Sequence, residues 1–165
     1  LSWNSGSLDF YLARQNGLRA LIKGKYLLFF VISLICFVLS IPYVYFGWDI
    51  LLIHIACFLF NMGISIHIVI YFALWKPKPM DLSKSAFFNY EGAGVAQFLM
   101  GIPLILFPYL IFLPAAYVIN DYFGLAVLAT AGIIGIIFYE QLSDICVRRL
   151  ERQKHIISST FRQEL

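Results

Sequence analysis

The 165 residues are 61% hydrophobic and only 13% charged, with a mean hydropathy of +0.83. A soluble domain of this length sits nearer half apolar and a quarter charged, so the composition excludes an ordinary water-soluble fold. The net charge of +3 is small, and the basic residues flank long apolar runs, which gives no footing for nucleic-acid binding and instead follows the anchoring pattern of a bilayer protein.

In chain order, 1–26 reads as an amphipathic basic segment lying in the membrane interface. Leu8, Tyr11, Leu12, Leu18, Leu21 and Ile22 recur at helical spacing, and Gly17 is expected to divide them into two short helices. The chain opens on Leu1 and has no signal-peptide layout, so an upstream portion is expected. The first predicted span, 27–46, carries no charge and has Pro42 near its far end. Tyr43, Tyr45 and Trp48 form an aromatic belt before the turn at Gly47-Trp48-Asp49.

The second span, 50–75, is long enough to tilt. It holds His54, Asn61 and Ser65 within about 20° of one helix face, with His67 on another. Such a polar stripe has two readings, a translocation path or interhelical hydrogen bonding. The central loop, 76–94, begins Lys76-Pro77-Lys78-Pro79 and is expected to hold a short helix around 86–90. The third span, 95–117, contains Pro103, Pro108 and Pro114, which predicts a strongly kinked or broken helix; the triplet reads either as a re-entrant or broken helix near a translocation path or as a bend in the span. A short turn at Asn120-Asp121 leads to the fourth span, 122–142. There Gly124, Ala131 and Gly135 line one face as a close-packing stripe. Glu140 lies near the end of that span, and together with Asp144 is placed to meet basic residues of a neighbour or to reach water. The helix is expected to continue into a charged tail, 143–165.

The fold class is therefore all-α and polytopic. All twelve Lys and Arg residues fall in the first segment, the central loop and the tail; the two short turns have none. With four spans these three segments share one side, and the positive-inside rule makes it cytoplasmic, with both termini there. Such a protein resides in the plasma membrane or the inner membrane.

No P-loop, zinc-type His pair, nucleophile elbow or dinucleotide turn is present. Cys36, Cys57 and Cys146 have no metal or redox spacing. No catalytic, cofactor or metal residue is assigned, and the chain is not expected to be an enzyme. A lipid-active enzyme with His54 or His67 as base is the weakest reading, since no paired acid accompanies either.

The stretch Ser5-Gly6-Ser7-Leu8-Asp9-Phe10-Tyr11-Leu12-Ala13, followed by Gly24-Lys25, resembles the cytoplasmic segment before the third span of ATP-binding-cassette type-2 permeases. Gly6, Leu8, Leu12, Ala13, Gly24 and Lys25 match; Ser7 replaces Thr, Asp9 replaces Glu, and the usual proline near position 15 is absent. Phe87-Phe88-Asn89-Tyr90-Glu91-Gly92 and the proline-rich third span also resemble an uncharacterised permease-like subgroup. The resemblance implies the last four spans of a six-span unit, paired with a second permease half. It would be driven by a separate ATPase subunit docked on Gly6 to Lys25, with Gly6, Leu8, Asp9, Leu12, Gly24 and Lys25 as coupling residues. Such permeases often carry re-entrant helices between the last two spans, and the turn at 119–121 is too short for them unless the proline-broken part of the third span supplies them. The rival reading is a non-transporting scaffold or assembly subunit of a larger complex.

Overall fold

A computed structural model describes residues 8–74, 99 and 101–163. The described residues are helical apart from short turns, with no strand among them. Gly6, the central loop and the first part of the third predicted span lie outside the described residues.

Helix α1 (Leu8–Ala13) is a single short turn and a half. Asn16, with φ of 60°, turns the chain back through the left-handed region that Asn tolerates. Helix α2 (Gly17–Ser40) then runs 24 residues without a break. Gly17 thus starts a long helix rather than separating two short ones, and residues 17–26 of the amphipathic segment run on into the first span as one rod. The basic residues sit on its first turns, where the apolar run has not begun, and nothing between Lys25 and Leu27 interrupts helical geometry. A tight 3-10 stretch, Ile41–Phe46, carries Pro42. Gly47 follows at φ 148°, a conformation that favours glycine.

Helix α3 (Trp48–Phe60) passes through a wide π-helical segment, Asn61–Ser65, into α4 (Ile66–Ala73). Helix α5 (Gly101–Val118) continues through Pro103, Pro108 and Pro114. The expected breakage is absent over these residues. Helix α6 (Asp121–Ile137) is capped by the Asn120 side chain, which accepts from the Phe123 N–H at 2.8 Å. It stops at Phe138, and α7 (Tyr139–Gln163) leaves at 67° to its direction. The fourth predicted span therefore does not continue straight into the tail. α7 is amphipathic rather than apolar throughout, so it lays one face on the protein instead of extending the span.

Among the described residues, three rods are long and apolar enough to cross a membrane: Gly17–Phe46, Trp48–Ala73 and Gly101–Val118. The bent pair α6–α7 makes a fourth if counted as one span. α2 and α5 bury almost nothing along their apolar lengths, which leaves Leu28, Ile35, Leu39, Ile105 and Leu110 facing outward. Helix α6 is the centre of the bundle. Leu128 packs with Ala56 and Phe60, and the chain approaches backbone to backbone at glycine. A Cβ on Gly63 would collide with the Gly132 carbonyl, and one on Gly132 with the Leu59 carbonyl. A Cβ on Gly135 would lie 2.6 Å from the Gly63 oxygen. Gly124 and Gly135 of the predicted stripe are at interfaces, Gly124 beneath Phe112 and Ala116 of α5. Gly132, outside that stripe, meets Gly63 and Leu59 backbone to backbone, while Ala131 lines a groove.

A second core lies at the basic end. Leu21 and Ile22 of α2 meet Met62, Ile66 and Ile70, and Val147 and Leu150 of α7 close it. At the opposite end the two short turns meet, where the Tyr122 hydroxyl donates to Asp49 at 2.8 Å. Both basic-rich segments described, α1–α2 and α7, thus share one end, and both basic-free turns share the other.

Candidate functional site at the bend between the last two helices

The polar groups converge where the π segment passes the α6–α7 bend. In the π segment the Ile66 N–H bonds to the Asn61 carbonyl, five residues back, which deprives the Met62 carbonyl of its ordinary α-helical donor. The Tyr26 hydroxyl donates to that Met62 oxygen at 3.0 Å. His67 Nδ1 lies 3.1 Å from the Gly63 oxygen. A carbonyl can only accept, so Nδ1 carries the proton and Nε2 is left as an acceptor facing the Ser143 hydroxyl at 3.5 Å. The rings close over this knot: Tyr26 and His67 centroids are 5.1 Å apart, Tyr26 and Tyr139 4.6 Å. Cys146 donates weakly to the His67 carbonyl at 3.8 Å.

A histidine beside a serine invites a nucleophile–base reading. Three observations count against it. Ser143 is only 2% exposed, Nδ1 is held by a carbonyl rather than a carboxylate, and 3.5 Å is at the limit of a hydrogen bond. The knot satisfies the backbone of a wide helix turn and ties α2, α4 and α7 together.

Around it, two ion pairs clasp α2 to α7. Arg19 meets Asp144 at 2.5 Å and Lys23 meets Glu140 at 3.0 Å. The four residues form two rungs, each helix contributing positions four apart, with the helices antiparallel. Every member is at least a third exposed, so each pair is worth about 0–1 kcal/mol and acts mainly on register. Asp144 and Glu140 therefore meet basic residues of a neighbouring helix.

On the other side of the knot lies an apolar groove of about 490 Å³, in the crook of the bend. Ile64 and Ile68 wall it on one side, Phe107 on another, and Ile134, Phe138 and Leu142 from the bent pair. His67 is its most polar lining residue.

The sequence-predicted residues are scattered by comparison. Asn61 donates to Ser33 of α2 at 2.7 Å, which is interhelical hydrogen bonding, and Ser65 is buried. His54 stands apart near Tyr43, ring centroids 6.4 Å away, and does not join them. Pro103, Pro108 and Pro114 lie along α5 and line no part of the groove. Glu140 is in the clasp. Of the coupling residues, Leu8 and Asp9 open α1, Leu12 packs against the basic-end core, Gly24 is exposed with open space above it, and Lys25 is half-buried. Tyr26, Tyr139 and Ser143 were not singled out by sequence. Tyr26 and Ser33, seven apart on α2 and both bonded to the second rod, are the one periodic signal that marks this face. Among the described residues no group of three metal-ligating side chains converges.

The chain belongs to a family of unknown function, DUF5687, whose model matches residues 1–164. No curated protein and no solved structure matches it.

Proposed function

We propose that the chain is the membrane-spanning permease part of an ATP-driven exporter of the ATP-binding-cassette type-2 kind. In this reading it crosses the bilayer four times with both ends and the central loop cytoplasmic, and it pairs with a second permease half. A separate ATPase subunit docks on the α1–α2 elbow. The observation that carries the reading is the continuity of α2: Gly17 to Lys25, the second part of the segment resembling the coupling region, and the first span are one helix, so force applied at the elbow, where α1 folds back at Asn16, passes directly into the span. The clasp and the basic-end core fix α7 to the same platform. Phe10, 61% exposed on α1, and the open surface over Gly24 supply an apolar contact of the kind an ATPase groove takes.

The test is co-purification from membranes of the native host. Phe10→Glu with Gly24→Trp should lose the ATPase subunit and its stimulated turnover at least tenfold, with the protein still in the membrane. Unchanged retention of the ATPase in that variant sinks the reading. Recovery of a non-ATPase membrane complex, with no ATPase subunit in it, favours the scaffold alternative. A companion prediction concerns the clasp. Lys23→Glu should impair coupling, and adding Glu140→Lys should restore it, because the swapped pair keeps the same register; equal defects in the single and double variants refute the clasp's role.

A further inference from the structure

The geometry points to a binding site for one anionic phospholipid, its acyl chain in the groove of the α6–α7 bend and its phosphate on Arg148, Arg149 and Arg152. This inference is independent of any ATPase and needs only that the apolar rods stand in a bilayer.

The groove does not end in apolar side chains. Tyr71 and Ile145 form a shared wall with a second pocket of about 370 Å³, otherwise lined by Arg148, Arg149, Arg152 and Gln153. An apolar slot thus adjoins a pocket lined by three guanidinium groups. That is the polarity profile of one amphiphile: chain, then negative charge.

The charge arrangement on α7 makes the arginines available. At 100° per residue, Glu140, Asp144 and Glu151 gather within about 40° of one another, while the three arginines centre about 100° further round. The acids Glu140 and Asp144 are consumed by Lys23 and Arg19 on the α2 side. Among the described residues none of the three arginines has a carboxylate partner, and no acidic side chain lines either pocket. Arg149 is also placed in advance, its guanidinium stacked 4.0 Å over the Tyr71 ring. Its Nε and the Gln153 Oε1 are buried without a hydrogen-bond partner among the described residues, so the polarity there is unsatisfied by the protein itself. Planar guanidiniums match phosphate oxygens in forked geometry, which a Lys cluster would do less well. Basic pockets between membrane helices are where anionic headgroups are held.

The experiment uses the full chain purified in a mild detergent, incubated with phosphatidylglycerol or phosphatidylcholine, and weighed intact by native mass spectrometry. One phosphatidylglycerol should stay bound per chain, with phosphatidylcholine retained at least tenfold less. Arg148→Gln with Arg152→Gln should reduce retention about tenfold, and Ile145→Trp, which fills the shared wall at a half-exposed position, should do likewise. Lys154→Gln, a basic residue lining the elbow side of α7, should leave it unchanged. Helical content by circular dichroism checks that each variant is folded. Equal retention of both lipids, an undiminished arginine variant, or displacement of the lipid by inorganic phosphate at equal concentration would overturn the assignment, the last by making the pocket a free-anion site.

Discussion

Gly132→Leu should abolish a stable bundle. The Cα of Gly132 sits so close to the Leu59 carbonyl that even one added carbon meets main chain rather than a side chain able to swing away. Over-packing of ordinary cores costs about 1–3 kcal/mol. Here α6 must withdraw from α3 and the π segment, which also undoes the Gly63 and Gly135 contacts, so the loss should exceed about 3 kcal/mol. Gly132→Ala should fall within about 1–3 kcal/mol. Gly24→Ala is the matched control: it lies in a helix with nothing within 4 Å, so it should be neutral or stabilise by about 0.5–1 kcal/mol. Unfolding in mixed detergent, followed by circular dichroism and gel filtration, ranks the three. A Gly132→Leu protein as stable as the parent would mean that the α3–α6 contact is not where the bundle closes.

His67→Leu should be the next most damaging change. It is near the parent in volume, so its effect isolates polarity from packing. The Gly63 carbonyl loses its side-chain donor and the Ser143 hydroxyl its acceptor, in a place only 2–5% exposed. Each orphaned group costs about 1–3 kcal/mol, tempered for Ser143 because its hydroxyl can turn to a carbonyl of its own helix. A total loss of about 2–3 kcal/mol is expected. His67→Asn, whose side-chain amide nitrogen stands close to Nδ1, should retain more than half of the stability lost in His67→Leu. Adding Ser143→Ala to His67→Leu should recover part of it, and the double-mutant cycle measures the coupling between the pair. Additive losses in that cycle would show that the two side chains do not interact.

The legible and illegible parts of this fold separate on physical lines. The apolar rods were readable because a run of 20 uncharged residues has few alternatives, and the segregation of basic residues constrained which ends lie together. The bend at Phe138 was not, because no proline or glycine marks it, and it is the packing of α7 on α2 that turns the chain. At the prolines the helix stays unbroken from Gly101 to Val118. A proline's missing N–H is a weak break in a bilayer, where the helix has no better conformation to adopt, so α5 continues through Pro108 and Pro114. The stripe of His54, Asn61 and Ser65 was projected at a constant 100° per residue. The π segment begins at Asn61 and shifts the register after it, so the ideal wheel fails where the polar residues are densest. His67, assigned to a different face, becomes the centre of the knot by that same shift. Ser143 and Tyr139 carry no signal of their own, because serine and tyrosine four apart on a charged helix are commonplace.

The tie between Asp49 and Tyr122 spans 73 residues of sequence, and the glycine contacts join the same two hairpins, α2–α3 and α5–α6. Each hairpin satisfies its backbone within its own helices, so each is able to enter the bilayer before the other exists. Association then comes second, driven by close backbone fit and, at the far end, by the Asp49–Tyr122 latch rather than by exclusion of water. The order of assembly is thus written into where the small residues are: a chain whose Gly63 or Gly132 is enlarged should still be inserted, as two separate hairpins that never dock.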